Sequence, residues 1–237
     1  MILPEIDSTN AEAARLAPGL SGPTWILALR QTRGRGRRGR DWRDPEGNFA
    51  ASYVTRPGGP PDQVALRSFV AALALQEALV TLTGRPEAFA LKWPNDVLLN
   101  GGKLAGILLE SIGAGAQVGH LVIGIGVNLR MAPTGEAGAV PPVSLMGETG
   151  TGVAPEEFLD LLAPAFAHWE DQLVTYGFAP IRRAWLDRAA RLGQVITART
   201  VTESHTGTFE GIDATGALQL RDARGLRAIP AADVYFA

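Results

Sequence analysis

The hydrophobic pattern of the chain changes near residue 192, and this change limits the folds that the chain can adopt. Before it, segments with helical spacing of apolar residues alternate with apolar runs of strand length. After it, short runs separated by turn signals cover residues 195–201, 207–212, 218–221 and 227–229. The pattern predicts an α+β domain over residues 1–191 and a small antiparallel barrel or sheet over residues 192–237.

Four segments of the larger domain have the apolar spacing or the capping residues of helices. They are a short helix that ends at residue 16 and residues 62–83, 155–174 and 178–191. The first can be capped by Asp7 or Ser8, whose side-chain oxygens can accept hydrogen bonds from the free amides of a first turn. We expect residues 62–83 to form a long, mostly buried helix.

Six runs rich in β-branched and other apolar residues are predicted strands. They cover residues 24–31, 48–56, 89–93, 97–99, 103–111 and 120–129. Residues 100–102, Asn-Gly-Gly, supply a hairpin turn between the fourth and fifth runs. We place the last four runs at the centre of the sheet and interpret residues 131–153, which are crowded with glycine and proline, as a connection.

Composition excludes several classes of protein. The chain has no cysteine and only three scattered histidines, which excludes disulfides and thiolate metal sites and argues against a histidine metal centre. A net charge of −2 argues against a protein whose main partner is nucleic acid. Residues 1–10 do not resemble a signal peptide, and no stretch approaches a membrane span. We therefore expect a cytoplasmic protein with no membrane partner.

Residues 33–47 are dense in glycine and arginine and are predicted to form a loop. Their core, residues 34–40, reads Gly-Arg-Gly-Arg-Arg-Gly-Arg and is followed by Asp41 and Trp42. Glycines allow close approach of the backbone to a ligand, and several guanidiniums can neutralise a phosphate. An anionic ligand wrapped by the loop is one interpretation. Taken alone, the segment is equally typical of a solvated or nucleic-acid-binding surface.

The only two lysines of the chain are Lys92 and Lys103, while all its other basic residues are arginine. A lysine in such a chain suggests a site that needs a compact ammonium, although composition alone leaves chance placement as an equal alternative. We expect Lys103, Asn95 and Asp96 at the ends of strands. Burying unpaired polar groups in a core is costly, so these side chains are better suited to face a ligand. For Asn95 and Asp96 alone, turn chemistry is an equal explanation.

Five motifs occur in a fixed order along the chain. They are Asp-Ser-Thr-Asn at 7–10, Gln31 ahead of the Arg/Gly motif at 34–39, Lys-Trp-Pro-Asn-Asp at 92–96, Lys-Leu-Ala-Gly-Ile at 103–107 and Gly-Ile-Gly-Val-Asn at 124–128. In order and spacing they resemble the biotin protein ligases. Weaker similarity continues through residues 144–145 and 211–213, so the resemblance covers nearly the whole chain. Lipoate ligases share the fold but carry a different glycine-rich motif.

The resemblance implies both a fold and an activity. The fold is a mixed β-sheet flanked by helices, similar to the class II aminoacyl-tRNA synthetase core, with a small SH3-like barrel at the C-terminus. The activity is that of a ligase that forms a carbon–nitrogen bond: it activates biotin with ATP to biotinyl-5′-AMP and transfers biotin to a lysine of a biotin carboxyl carrier protein, for example an acetyl-CoA carboxylase subunit. Mg²⁺ is expected with the triphosphate. A homodimer is one assembly state that the sequence leaves open.

The resemblance also implies which residues form the site. The biotin site is assigned to Ser8, Thr9, Asn10, Gln31, Arg35, Gly36, Arg37, Lys103, Gly106 and Gly124. The ATP site is assigned to Arg38, Trp42, Asn95 and Asn128. In catalysis, Arg35 and Arg37 are expected to hold the carboxylate and the α-phosphate, Lys103 to stabilise developing charge, and Asp96 to orient or deprotonate the acceptor lysine. No protein side chain is assigned to a metal.

Some members of this family carry an N-terminal helix-turn-helix domain and act also as repressors. Here the first motif begins at residue 7, which leaves no room for such a domain, so neither repressor activity nor a nucleic-acid partner is expected. Two alternatives remain open. A nucleic-acid-binding module could use the Arg/Gly loop but leaves both lysine motifs unexplained, and lipoate attachment is the same reaction type with another cofactor.

Overall fold

Two β-sheets with separate strands organise the chain, and a computed structural model describes residues 1–113, 118–134 and 140–236. The strands of the first sheet are β1 (Ile2–Leu3), β2 (Thr24–Ala28), β3 (Phe49–Thr55), β4 (Phe89–Lys92), β5 (Asp96–Leu99), β6 (Gly102–Ile112) and β7 (His120–Val127). Their order across the sheet is β1-β2-β3-β7-β6-β5-β4. Because β1 is parallel to β2 and all other neighbours are antiparallel, the sheet is mixed.

Helices cover both faces of this sheet. They are α1 (Thr9–Leu16), α2 (Pro61–Ala65), α3 (Arg67–Thr83), α4 (Leu145–Thr149), α5 (Pro155–Tyr176) and α6 (Phe178–Leu186). Side chains alternate between the two faces of a strand, so neighbouring residues of β2 enter different cores. Ile26 packs with Ala13 of α1 in a small cluster, whereas Leu27 joins the large core that contains α3, α5 and α6. The face under α1 therefore has a small core and leaves room for a cavity.

The second sheet is antiparallel and follows α6 along the chain. Its strands are β8 (Val195–Arg199), β9 (Ser204–Ile212), β10 (Leu218–Asp222), β11 (Gly225–Ile229) and β12 (Asp233–Phe236), in the order β11-β10-β9-β8-β12. The predicted boundary at residue 192 lies in the connection between α6 and β8. The two parts pack tightly: Trp93 Nε1 donates to the Gly216 carbonyl at 3.0 Å, and Phe209 joins the large core. The predicted α+β class, with a mixed sheet flanked by helices and a separate C-terminal sheet, is confirmed.

Several predicted elements differ from the structure. The prediction that β4 and β5 lie at the centre of the sheet is wrong, because the β2–β3 hairpin pairs with β7 and leaves β4 at the edge. The predicted helix over 62–83 is interrupted at Leu66, and α6 ends at Leu186 rather than at 191. β1, α4 and β12 were not predicted, since each has five residues or fewer and shows no clear period. Of the predicted connection over 131–153, residues 135–139 lie outside the described residues.

The expectation that no stretch approaches a membrane span was wrong for α2 and α3. Together they form a 23-residue segment, Pro61–Thr83, that is long and apolar enough to cross a membrane. Among the described residues it is the one helix that meets this criterion, and 67% of its most apolar window is buried within the protein. This burial is typical of a core helix, and Phe69 and Leu73 lie in the large core.

Candidate active site

A cavity of about 330 Å³ opens on the face of the first sheet that carries α1. All of the predicted site residues except Arg38 and Asn128 line it. The C-terminal sheet also reaches it, because Asp233, Val234 and Tyr235 of β12 form part of its wall. One cavity thus gathers residues from α1, the Arg/Gly loop, four strands of the first sheet and one strand of the second.

Glycines form the floor of the cavity. Gly106 of β6 and Gly126 of β7 are directly paired across the sheet and point to the same face. A Cβ atom on Gly126 would lie 2.6 Å from Cζ2 of Trp42, and one on Gly106 would lie 3.2 Å from Cζ3. The Trp42 ring therefore rests on the two glycines. Gly124 has the same role beneath Asn10, whose side-chain amide occupies the space that a Cβ would need.

A β-bulge directs Lys103 into the cavity. Asp96 pairs with Gly106 and Val97 with Ala105, but Leu98 pairs with Lys103, so Leu104 is an extra residue in β6. Both Leu104 and Ala105 are buried in the large core. The bulge shifts the alternation of side chains and brings Lys103 onto the face of Gly106, where its Nζ lies 5.7 Å from the centroid of the Trp42 ring.

Uncharged polar groups form one end of the cavity. Gln31 Oε1 accepts hydrogen bonds from the Thr9 amide at 2.8 Å and from the Thr9 hydroxyl at 3.2 Å. Ser52 Oγ lies 2.8 Å from Thr9 Oγ1 and 2.6 Å from Asn10 Oδ1, and its single proton can be donated to only one of them. Ser8 caps α1 by accepting from the Ala11 amide. Side chains that already hold one another are well placed to orient the few polar atoms of a ligand.

Cations form the other end of the cavity. Lys103 Nζ lies 2.8 Å from Asp96 Oδ1, and Lys92 Nζ lies 3.5 Å from the other oxygen of the same carboxylate. Arg37 donates to Asn95 Oδ1 at 3.2 Å. Burial lowers the pKa of Arg37, and the nearby Asp233 carboxylate raises it. An arginine with a lowered pKa is still charged at neutral pH. This end of the cavity suits an anion.

Glu110 connects the two ends. Its Oε2 accepts from Asn10 Nδ2 at 2.7 Å and from Arg35 Nη2 at 3.3 Å. Asn95 has a comparable connecting role on the other side, since its Nδ2 donates to the Ile107 carbonyl at 2.7 Å while its Oδ1 accepts from Arg37. The arginines of the loop are thus attached to the strands that form the cavity.

The Arg/Gly loop is a short hairpin that reaches the C-terminal sheet. The Gly36 amide donates to the Arg40 carbonyl at 2.7 Å and the Trp42 amide to the Gly34 carbonyl at 2.9 Å. At the tip, Arg38 has a φ of 58° and its Nη1 donates to Asp233 Oδ2 at 2.9 Å. Arg40 also donates to Asp233, at 3.0 Å. A carboxylate from β12 therefore pairs with two arginines at the tip of the loop and offsets part of their charge.

Arg38 and Asn128 lie outside the cavity. Arg38 faces Asp233 and the outer side of the loop. Asn128 is buried after β7, where its Nδ2 donates to the Val143 carbonyl at 3.0 Å. These contacts connect segments of the chain to one another.

Several residues near the cavity were not assigned from the sequence. They are Ser52, Glu110, Lys92, Gly126, Asp233 and Asp44. Asp44 closes the base of the loop, where its Oδ2 accepts from the Gln31 amide at 3.1 Å and burial raises its pKa to about 6. Ser52 is the one polar residue in the buried part of β3, and this was an available signal, whereas Glu110 lies in the half-buried end of β6 beside Ser111 and gave a weaker one. For Asp233 there was no signal, because its position depends on contact between the two sheets.

Comparison with known sequences gives the family of this chain. The pattern of the biotin/lipoate A/B protein ligase family matches residues 3–128, and that of the biotin protein ligase C-terminal domain matches residues 192–237. A biotin–[acetyl-CoA-carboxylase] ligase of Paracoccus denitrificans is 62% identical over 99% of both chains. The chain belongs to the biotin protein ligase family. The bifunctional ligase/repressor BirA of Bacillus subtilis is 31% identical to this ligase over 97% of the chain and 71% of its own length.

Solved structures agree with this assignment. The biotin protein ligase from Aquifex aeolicus in complex with biotin and ATP is 26% identical to this ligase and superimposes with a TM-score of 0.85, covering 99% of this chain and 96% of the other. The apo structure of the Aquifex aeolicus ligase, at 23% identity, has a TM-score of 0.81 and supports the fold. The similarity in fold thus extends over both sheets.

Proposed function

We propose that this ligase activates biotin with ATP to biotinyl-5′-AMP and transfers the biotinyl group to a lysine of the biotin carboxyl carrier protein. The observation that carries the proposal is the division of one cavity into an uncharged hydrogen-bonding end and a cationic end. Biotin has the matching division, with a neutral ureido ring system and a carboxylate. The dithiolane ring of lipoate offers no hydrogen-bonding groups to Gln31, Thr9 and Asn10, so these residues favour biotin.

In the first step, a carboxylate oxygen of biotin attacks the α-phosphorus of ATP and pyrophosphate leaves. Two anions must approach each other, so neutralisation and orientation are the main contributions that the protein can make. We assign these contributions to Arg35, Arg37 and Lys103. Trp42 covers the site, and Asn95 positions Arg37 through the 3.2 Å hydrogen bond between them.

In the second step, a neutral lysine amine of the carrier protein attacks the carbonyl carbon of the mixed anhydride, AMP leaves and the nitrogen loses a proton. Asp96 is the carboxylate beside the cationic end, and we assign it to orienting the amine and accepting that proton. In the structure Asp96 is paired with Lys103, so it lies next to the residue that we assign to stabilising charge on the α-phosphate.

The nucleotide, rather than the protein, is proposed to carry the magnesium ion. In residues 1–113, 118–134 and 140–236, no group of three or more His, Cys, Asp or Glu side chains could hold a metal. A magnesium ion bound to the triphosphate needs few protein ligands, because it keeps phosphate oxygens and water in its coordination shell. Bound to the triphosphate, Mg²⁺ would lower the negative charge on ATP that the biotin carboxylate must approach.

The test of the proposed function is formation of the acyl adenylate. The ligase is incubated with ATP, magnesium and either biotin or lipoate, and the products are identified by mass spectrometry. We expect biotinyl-5′-AMP with biotin and little or no lipoyl-AMP. Lipoyl-AMP as the main product would assign the cavity to the other branch of the family, and no adenylate with either acid would refute the proposal.

Gln31→Ala is expected to weaken biotin binding roughly tenfold while ATP affinity stays within about twofold. The change removes one hydrogen-bonding side chain of the uncharged end, a loss of about 1.4 kcal/mol, and it also frees Thr9, whose amide and hydroxyl Gln31 holds in place. Ser8→Ala should act in the same direction. Calorimetry with each ligand alone measures both affinities. Gln63→Ala, an exposed glutamine outside the cavity, is the control. A selective loss of ATP affinity would reverse the assignment of the two ends.

Trypsin should cut the Arg/Gly loop quickly in the free ligase and much more slowly with biotin and ATP. Residues 30–43 contain seven arginines, more positive charge than the carboxylates paired with them can offset, so a bound anion should hold the loop more firmly. Asp233→Asn should accelerate cleavage of the free ligase, because the variant loses the carboxylate that holds Arg38 and Arg40.

Cleavage at Arg224, an exposed residue in the turn between β10 and β11, is the internal control and should not respond to the ligands. Equal loop cleavage rates with and without biotin plus ATP would mean that the loop does not close over the ligands.

We further propose that residues 1–191 and 192–237 are the two domains, which the match of the C-terminal family pattern to residues 192–237 supports.

We expect no sequence-specific DNA binding. A gel-shift assay at about 150 mM salt should show no sequence-dependent complex at nanomolar protein, and such a complex would contradict this expectation. A cytoplasmic location and a homodimer stay predictions.

A further inference from the structure

One carboxylate lies between the only two lysines of the chain. Lys103 Nζ is 2.8 Å from Asp96 Oδ1, and Lys92 Nζ is 3.5 Å from Asp96 Oδ2. The two ammonium groups differ in their surroundings. The Lys103 side chain is 30% exposed and faces the cavity, whereas the Lys92 side chain is 6% exposed at the end of β4. Both lysines line the cavity, but Lys92 is almost fully enclosed by protein, so only Lys103 has room to move.

Stability of the fold does not account for Lys92. Burial lowers the pKa of its ammonium, against the attraction of Asp96. Among the described residues, Asp96 is the only acidic group within 4 Å of its Nζ, and 3.5 Å exceeds a strong ammonium–carboxylate distance. The ring of Phe236, centred 5.7 Å away, adds only a weak cation–π contact. A buried charge with one shared partner is costly, and an apolar residue of similar size is often the more stable choice.

The role assigned to Lys103 would leave Asp96 without that cation, and Lys92 can remain as its partner. To stabilise charge on the α-phosphate, Lys103 must turn from Asp96 toward the cavity. Asp96 is 9% exposed and would then be a buried carboxylate next to an incoming phosphate. Without a second cation, Asp96 would hold Lys103 in place and repel the nucleotide. Lys92, fixed on the opposite oxygen, supplies that cation.

We propose that Lys92 is a positioning residue for adenylation, which keeps Asp96 neutralised and in place while Lys103 moves onto the α-phosphate. Lys92 acts through Asp96 and not by contact with the reacting atoms. The inference rests on the proposed function, because it requires Lys103 to serve the adenylation step.

The first test is a double-mutant cycle with Lys92→Met and Asp96→Asn, measured as biotin-dependent release of pyrophosphate. Lys92→Met should lower kcat for adenylation roughly 10- to 100-fold, less than the direct loss of a charged contact, with KM for biotin nearly unchanged. In the Asp96→Asn background the same change should alter kcat by less than about twofold. Full activity of Lys92→Met, or an equal loss in both backgrounds, would overturn the proposal.

The second test observes Lys103 directly and does not depend on the activity of Asp96→Asn. Isotope-labelled lysine gives two side-chain NMR signals in the unaltered ligase and one, from Lys103, in Lys92→Met, because the chain has no other lysine. Biotin with α,β-methylene-ATP should shift the Lys103 signal strongly in the unaltered ligase and weakly in Lys92→Met. Equal shifts in the two proteins would overturn the proposal.

Adenylation by the unaltered ligase distinguishes a failure of the proposed function from a failure of the role proposed for Lys92. If the unaltered ligase forms no biotinyl adenylate, the proposed function is wrong. If it forms the adenylate and Lys92→Met does so equally well, only the role of Lys92 is wrong.

Discussion

Lys103→Ala should lower the rate of biotinyl adenylate formation by about 10²- to 10³-fold, the usual effect of losing one electrostatic contact to a transition state. The bulge in β6 aims this ammonium into the cavity beside Trp42 and Asp96, where it can reach charge that develops on the α-phosphate. The side chain is partly exposed and lies outside the large core, so the fold should be retained. Single-turnover formation of the adenylate is the measurement, with thermal unfolding as the control for folding.

Lys103→Arg should restore only part of the rate. The planar guanidinium is larger than an ammonium and would have to fit between Asp96 and the Trp42 ring. Adenylation by Lys103→Ala at the rate of the unaltered ligase would remove Lys103 from the mechanism.

Gly126→Ala should lower kcat/KM for ATP by roughly 30-fold, equivalent to about 2 kcal/mol, the effect expected for a well-packed aromatic contact. A Cβ at this position would lie 2.6 Å from Cζ2 of Trp42, so the ring must leave the floor of the cavity. The loop that carries Trp42 also carries Arg35 and Arg37, and their positions would shift with it. Steady-state kinetics with ATP varied at saturating biotin measures the effect.

Two variants control for this result. Gly22→Ala makes the same chemical change where a Cβ would meet no atom within 4 Å, and it should leave kcat/KM unchanged. In a Trp42→Ala background, Gly126→Ala should have almost no further effect, because the ring that it displaces is absent. A full loss in that background would show that Gly126 acts by some route other than Trp42.

The sequence motifs predicted most of the residues that line the cavity, and strand pairing brings the different motifs together there. Asp96 and Gly106 belong to different motifs but are paired across neighbouring strands, and Gly106 pairs with Gly126 on the next strand. Glycines on adjacent strands of one face make a floor on which an aromatic ring can lie. In the structure the Trp42 ring rests on Gly126, which the sequence did not predict, and its closing over a bound adenylate stays a prediction.

The residues that were missed depend on contacts between distant parts of the chain. Asp233 reaches the loop arginines only because the C-terminal sheet packs against the first domain, and a short strand of four residues carries no signal of that packing. Ser52 belongs to an apolar strand, and its position under Thr9 and Asn10 follows from the placement of α1. The bulge that turns Lys103 into the cavity likewise follows from the pairing register, which the sequence pattern did not reveal.

The order of strands was the least predictable part of the fold. The runs that form β7 and β4 are similarly apolar, yet β7 lies at the centre of the sheet and β4 at its edge. Hydrophobic pattern reports how deeply a strand is buried, and β4 is buried by α3 and by the segment after α6 rather than by neighbouring strands on both sides. Burial therefore does not distinguish a covered edge strand from a central one.

Transfer of biotin to a carrier protein tests the proposed function directly. The ligase, a biotin carboxyl carrier domain, biotin, ATP and magnesium are incubated together, and the carrier is analysed by intact-mass and peptide mass spectrometry. We expect addition of one biotinyl group to a single lysine of the carrier, dependent on both ATP and biotin, and its loss in Lys103→Ala. An unmodified carrier in the presence of folded ligase, or modification that does not require ATP, would contradict biotin transfer through biotinyl-5′-AMP.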